Sequence, residues 1–252
     1  MSKTKSSAEG AKNAAEPAAE EAPRPSVFRE YLEALLVAAI FLGFSNTFVI
    51  KTFYIPSESM VETLLVGDHL FVNRYIFGPS ATALERKLLP GRDVQRGDIV
   101  VFRSPETPTL DLVKRCVAVA GDEVQVIDKE LFINGERAPD ESYTRNVDPT
   151  LYRRNSPFLD GRRRDNMPPF TVPEDHIFCM GDNRDESHDP RFFGPVPLAQ
   201  VKGRAAVIYW SYGGETPDGT WRGWTHRIGQ LARTVVGFIP RTRWGRTFQV
   251  IR

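Results

Sequence analysis

Asp98-Ile99-Val100-Val101-Phe102-Arg103, then Leu112-Val113-Lys114-Arg115-Cys116-Val117-Ala118-Val119, then Glu123-Val124-Gln125-Val126-Ile127 and Leu131-Phe132-Ile133 form a succession of short apolar runs divided by turn formers. Runs of roughly four to eight residues, rich in β-branched side chains, suit a pleated and largely buried surface and are too short for ordinary helices. A turn at Asp128-Lys129-Glu130 joins the last two runs, and Asn134-Gly135 ends the second, which is hairpin chemistry. Gly-Asp pairs at 67–68, 97–98, 121–122 and 181–182 punctuate the pattern. Upstream, Asp68 to Tyr75 alternates; downstream, Ile177 to Met180 and Arg204 to Tyr212 add further strands. The pattern predicts a mostly β domain over residues 51–215.

The 252 residues are 41% hydrophobic and 26% charged with a net charge of +1, which speaks against a nucleic-acid partner and against a disordered chain. One globular domain of roughly 200 residues fits that length. Cys116 and Cys179 each lie in an apolar run and read as buried, inert thiols; a disulfide is open to them in an oxidising compartment, and their separation rules out a CxxC metal site.

Residues 1–29, rich in Ala, Glu, Lys, Ser and Pro, read as a disordered tail. The composition then changes sharply. Ala34 to Phe44 has no polar residue and Phe48-Val49-Ile50 extends it, so residues 30–50 read as one transmembrane helix, with a cleaved signal peptide or a buried core helix as rivals. Arg24 and Arg29 before the apolar run, against Lys51 after it, place the N-terminus in the cytoplasm and the larger domain outside. Residues 136–172, with Arg162-Arg163-Arg164 and several prolines, read as a solvated inserted loop with the basic triplet on the surface. Residues 216–252 combine Trp221, Trp224 and Trp244 with many arginines. They read either as a terminal helix packed on the domain or as a segment lying on an anionic membrane.

Chemistry concentrates at Tyr54-Ile55-Pro56-Ser57-Glu58-Ser59-Met60-Val61-Glu62-Thr63-Leu64. A serine hydroxyl there needs a base to become a nucleophile. His69, His176, His188 and His226 leave a histidine base open, and Lys114, within an apolar strand where burial disfavours its charge, is another. The polar passage Gly181 to Arg191 has three readings: a metal site through its carboxylates and His188, a turn whose Arg184 and Arg191 pair with Asp182, Asp185 or Asp189, or a brace that sets Ser187 against a base.

Three boxes in order behind an apolar segment, Ile55-Pro56-Ser57-Glu58-Ser59-Met60, then Leu112-Val113-Lys114-Arg115 with Gly121-Asp122, then Gly181 to Arg191, resemble bacterial type I signal peptidases over roughly residues 30–212. The resemblance implies a signal-peptidase-like β domain and a serine endopeptidase of the bacterial inner membrane, with its catalytic domain on the periplasmic or extracellular side. It implies Ser59 as nucleophile and Lys114 as general base. Ser57 would complete the oxyanion hole, Ser187 would hydrogen-bond and orient Lys114, and Asp189 and Arg191 would brace the loop. Phe53, Ile55, Met60, Leu64, Leu112 and Val113 stand where the family lines its substrate pockets. The implied partners are signal-peptide-bearing preproteins, cleaved after Ala-x-Ala sites, and the lipid bilayer; no metal or cofactor is expected. Counted from Ile50, Ser59 is within about 30 Å of extended chain, so the nucleophile would be tethered near the bilayer.

The chain departs from the family pattern at Glu62, where proline is usual, at Ala118-Val119-Ala120 before Gly121-Asp122, where Gly-Leu-Pro is usual, and at Leu112, where an aromatic is common. Two other readings compete: a self-cleaving repressor-type protease with the same dyad, disfavoured by the apolar segment, and a catalytically silent β scaffold.

Overall fold

The computed structural model describes residues 27–44, 50–77, 91–139, 142–214, 229 and 235–251. The chain divides into two units, Met1–Leu42 and Gly43–Arg252. Helix α1, Val27–Phe44, is built from Ala, Leu and Phe with no internal breaker before Gly43, and it carries Arg29 and Glu33 as an ion pair one turn apart at 2.7 Å. Leu35, Leu36, Val37, Ile40, Phe41 and Leu42 are all exposed on it.

The expected span over residues 30–50 is corrected at both ends. The helix begins at Val27, which puts Arg29, Glu30 and Glu33 inside it, and among the described residues no helix is long and apolar enough to cross a membrane. At the other end Ile50 belongs to strand β1, Ile50–Tyr54, where it pairs with Asn73. The tail before Val27 lies outside the described residues, as do Trp221 and Trp224.

The remaining strands are β2, Asp68–Asn73; β3, Ile99–Arg103; β4, Asp111–Val119; β5, Glu123–Ile127; β6, Glu130–Ile133; β7, Glu136–Arg137; β8, Met167–Thr171; β9, His176–Met180; β10, Val196–Pro197; β11, Val201–Ser211; and β12, Gln249–Val250. Two short helices, α2 at Leu159–Asp165 and α3 at Pro190–Phe193, complete the elements used below. The domain is mostly β, as the alternating runs predict.

Among the described residues the pairing between these strands is antiparallel. One sheet runs β1-β2-β11-β3-β4-β9-β10 with β12 added to β11, and a second runs β7-β6-β5-β8. Strand β4 of the large sheet passes into β5 of the small one through the turn at Gly121, where φ is +84°. Asp128 and Lys129, with φ of 48° and 71°, form the two-residue turn between β5 and β6, and Asn134 and Gly135, at 54° and 80°, form the one between β6 and β7. Two central residues with positive φ are the primed hairpin geometry that matches strand twist.

Among the described residues three apolar clusters fill the domain. Ile55, Met60, Leu64, Leu70, Val72, Ile99, Val101, Ala205, Ile208 and Ile251 form the one beneath the Ser59 loop. A second lies between β4, β9 and the small sheet, and a third holds Cys116 and Cys179, which stand opposite one another on β4 and β9 as free thiols.

The expectation for the loop at residues 136–172 is corrected. Residues 136–172 are not a solvated excursion: they contain β7, α2 and β8, and β8 pairs with β5. The prolines Pro168 and Pro169 hid β8, yet an edge strand paired on one side tolerates them. Of the basic triplet, Arg164 is largely buried, bonded to Asp148 and Asp165. In the C-terminal segment, read either as a packed terminal helix or as lying on a membrane, residues 235–241 are helical, β12 pairs with β11, and Ile251 is buried in the first core cluster.

Candidate active site

The loop between β1 and β2 carries Ser59 and is closed at its base by backbone bonds from Ile55 to Asp68, 2.9 Å, and from Gly67 to Ile55, 3.1 Å. Inside it Glu58–Met60 make a 3-10 turn. The next turn follows at once: the Met60 carbonyl accepts from Thr63 and Leu64, with Val61 at φ −55°, ψ 143° and Glu62 at φ +91°. Those angles are a type II turn, whose third residue requires positive φ. Met60 and Leu64 sink into the core on either side of it, so the Ser59 backbone is pinned by apolar burial. Ser59 itself is 9% exposed, and its Oγ lies 3.4 Å from the Oγ of Ser57.

Lys114 sits mid-strand on β4, opposite Val100 of β3, and is 3% exposed. Burial lowers its pKa from 10.5 to about 8; Asp189 and Asp182 oppose the fall and Arg191 adds to it. The Ser59 turn packs on this strand.

The passage from Gly181 to Arg191 closes the site from the other side. A Cβ at Gly181 would stand 2.5 Å from the Ser59 carbonyl oxygen and collide with the Ser187 side chain, so only glycine admits this approach. The Asn183 N–H donates to the Ser59 carbonyl at 3.1 Å and its Nδ2 to the Glu58 carbonyl at 3.3 Å. Asp189 and Arg191 form a fully buried pair at 2.9 Å, and Asp189 also accepts from the Gly181 N–H at 3.1 Å. Arg191 extends to the carbonyls of Arg184 and Arg164 at 2.6 and 2.9 Å. Despite desolvation, the neighbouring Arg191 charge and its hydrogen bonds hold the Asp189 pKa below the usual carboxylate value.

Several expected site residues meet here, but not all in the expected roles. Ser187 is buried and adjacent to Gly181, but among the described residues its Oγ has no hydrogen-bond partner, so the expected bond to Lys114 is not made. Phe53 and Val113 are partly buried against the cluster that holds Ile55, Met60 and Leu64. Leu112 packs on the third cluster instead, because strand alternation turns it to the other face of β4 from Val113. Ile55, Met60 and Leu64 are core residues, leaving Phe53 and Val113 as the apolar side chains with exposed surface.

The described histidines are engaged elsewhere: His69 stacks on Trp210, His188 pairs with Glu106, and His176 bonds the Glu174 carbonyl. Among the described residues no group of three or more His, Cys, Asp or Glu side chains could hold a metal ion.

Sequence reasoning missed the polar frame behind the site. Arg115 binds Asp182 through two bonds of 2.9 Å and reaches Thr63 Oγ1 at 3.0 Å, while Thr63 Oγ1 donates to Asp182 at 2.5 Å. Asp185 is held by Lys129 at 3.0 Å and accepts from the Asp148 N–H at 2.8 Å. Arg145, in the former insertion, bonds Asp182 and Arg184 through its backbone and Glu62 through its side chain at 3.2 Å. Pairing of Asp182, Asp185 or Asp189 with Arg184 and Arg191 was one of three readings of the passage; the observed partners of Asp182 and Asp185, namely Arg115, Thr63 and Lys129, are distant in the chain, and only the crowding of charges hinted at them.

A buried lysine of lowered pKa, on the strand against which the Ser59 turn packs, suits acyl transfer, and comparison with known proteins gives the family. The family described as signal peptidase, peptidase S26, matches residues 28–210. The chain belongs to the signal peptidase family. Among its relatives, signal peptidase I of Pseudomonas aeruginosa is 32% identical over 231 residues, covering 82% of this chain and 81% of the relative. Signal peptidase I of Aquifex aeolicus is 29% identical over 235 residues, covering 75% and 86%. A crystal structure of a signal peptidase I from Enterococcus faecalis aligns over 45% of this chain and 97% of its own, at 29% identity and a TM-score of 0.31. Membership of the signal peptidase family makes this chain an enzyme of the signal peptidase I type, a peptidase.

Proposed function

We propose that this enzyme removes N-terminal signal peptides from exported preproteins after Ala-x-Ala sites, with Ser59 as nucleophile and Lys114 as general base. The observation that carries the reading is the burial of Lys114, which brings its pKa to about 8 on the strand against which the Ser59 turn packs. A neutral amine is then available near physiological pH to take the Ser59 proton. The Ser59 Oγ attacks the scissile carbonyl, and the Lys114 ammonium so formed protonates the leaving amine. Water, deprotonated by the same amine, then hydrolyses the acyl-enzyme. The Ser59 N–H and the Ser57 hydroxyl would face the tetrahedral oxyanion, each such donor contributing roughly 3 kcal/mol.

Among the described residues strand β1 is the last of the large sheet, and it leads directly into the Ser59 loop, so an extended substrate would pair along its outer side. Phe53 and Val113 would limit the side chains accepted, favouring small ones. Ser187, buried without a partner beside Gly181, would turn its hydroxyl toward the Lys114 ammonium once that charge forms. Residues 51–251 act as one catalytic domain in this reading, with Asp189 and Arg191 bracing the 181–191 loop.

The enzyme would work at the bacterial inner membrane, with signal-peptide-bearing preproteins and the bilayer as its partners. The exposed apolar side chains of α1 are the support, because water disfavours such a surface and lipid does not. Alkaline extraction of membranes tests this part, and recovery of the protein in the soluble fraction would overturn it.

Cleavage of an Ala-x-Ala preprotein by the purified full chain, compared with Ser59→Ala and Lys114→Ala, tests the dyad. Both variants are expected to lose cleavage; activity like the wild type's in either one overturns the assignment.

A further inference from the structure

The family match ends at residue 210, yet the chain beyond it returns to the nucleophile loop. Residues 242–251 lie along β11 as a strap: Arg243 bonds the Ser211 carbonyl at 2.8 Å, Phe248 that of Ile208 at 2.7 Å, and Ile251 that of Ala206 at 2.9 Å. From this strap three side chains reach the loop that carries Ser59. Ile251 is buried with Ile55, Met60 and Leu64, and Arg243 Nη1 donates to the Val66 carbonyl at 3.0 Å. Arg246 does most, since its Nη2 donates to the Thr63 carbonyl at 2.9 Å and to the Asp68 carboxylate at 2.7 Å.

Asp68 is fully buried at the base of that loop, where it also accepts from the Leu65 N–H at 2.9 Å and the Ser211 hydroxyl at 2.6 Å. Thr63 is the last residue of the type II turn, and its N–H bonds the Met60 carbonyl, next to Ser59. One guanidinium nitrogen therefore ties the end of the nucleophile turn to the carboxylate that closes the loop. Displacement of the Thr63 carbonyl would swing the Met60 peptide and with it the orientation of Ser59.

We infer that Arg246, carried by the C-terminal strap, is a positioning residue for the Ser59 turn. This rests on the reading of Ser59 as nucleophile. Its signature is a loss in kcat with substrate binding preserved, because Arg246 reaches only the far side of the turn, and because a misplacement of an ångström or less in a reacting group is felt in the rate.

The test compares the full chain with Ser59→Ala, Arg246→Met, Arg246→Lys and Thr242→Val on the same preprotein, well below each variant's Tm. Thr242 belongs to the strap, bonding Trp210 Nε1 at 3.0 Å and the Phe238 carbonyl, and makes no bond to the Ser59 loop, so it reports loss of strap stability alone. Arg246→Met is expected to lower kcat about tenfold with KM within about twofold of the wild type, Arg246→Lys to restore part of the loss, and Thr242→Val to keep kcat. Unchanged kcat in Arg246→Met, or an equal loss in Thr242→Val, overturns the inference while leaving the nucleophile in place. Full activity in Ser59→Ala overturns both readings together. Should Arg246→Met not accumulate, Arg246→Gln takes its place with the same expectations.

Discussion

The Asn183 N–H donates to the carbonyl of Ser59 at 3.1 Å, tying the polar loop after β9 to the backbone of the candidate nucleophile. That bond is one side of a closed frame. Asn183 bridges to Arg145, Arg145 pairs with Glu62, and Glu62 lies in the turn that begins at Met60. On the other side Arg115 and Asp182 hold Thr63. At Arg115 and Asp182 the frame is made of buried polar groups that bond one another, which fixes a geometry more sharply than apolar packing does.

Gly181→Ala probes the tightest point of that frame. The added methyl would stand 2.5 Å from the Ser59 carbonyl oxygen, a backbone atom that cannot rotate away. Relief requires the 181–191 loop and the Ser59 turn to part, so cleavage should fall about a hundredfold or more and the domain should lose about 1–3 kcal/mol. Steady-state kinetics and chemical denaturation measure both, and a variant with normal kcat and stability would show that the two loops do not touch in this way.

The acid side of the activity profile is set by Lys114. Its pKa of about 8 makes the neutral base scarce below that pH, so kcat/KM should rise tenfold per pH unit up to about 8 and then level. A profile whose acid limb has its midpoint near 6.5, the ordinary histidine value, would point to a histidine base instead.

The same burial makes a prediction about stability. Below about pH 8 Lys114 is protonated both folded and unfolded, and the folded state carries the whole burden of the buried charge, about 3 kcal/mol for a fall from 10.5 to about 8. Between about 8 and 10.5 the folded state loses its proton while the unfolded chain keeps it, so stability gains with rising pH from this group. Lys114→Met should therefore be inactive yet more stable than the wild type by about 1–3 kcal/mol at pH 7, with the gap narrowing as the pH approaches 10. Denaturant titrations at pH 7 and pH 10 decide the matter; a less stable variant at pH 7 would mean that the ammonium is well solvated or well paired.

Most of the β architecture was legible because runs such as Ile99 to Phe102 and the turns at Asp128-Lys129 and Asn134-Gly135 are local signals, decided by propensity and by φ. The boundary at Ile50 was misread because an apolar residue serves a strand as well as a helix, and only pairing with Asn73 decides. Strand β8 was hidden by Pro168 and Pro169, which an edge position permits. At the site, the serine, the lysine and the 181–191 passage were each visible. Their cross-links were not: Arg115 to Asp182, Arg145 to Glu62 and Arg246 to Thr63 join residues far apart in the chain, and no local pattern encodes such partners.

Glu62, which stands where the related box usually has proline, is now accounted for. Its φ of +91° meets the demand of a type II turn, a value that proline, fixed near −65°, cannot adopt. Its carboxylate pairs with Arg145, but both side chains are about half exposed, and such pairs contribute little. The backbone strain of a non-glycine residue at that φ, of order 1 kcal/mol, outweighs the ion pair. Glu62→Gly should accordingly raise Tm by about 2 °C with kcat retained. Glu62→Pro must instead rebuild the turn, at a cost of about 3 kcal/mol, and should lose most activity because the rebuilt turn carries Ser59 with it. Thermal unfolding of the two variants beside the wild type gives the order Gly, wild type, Pro; a proline variant as stable and active as the wild type would mean that the turn after Ser59 follows the family pattern after all.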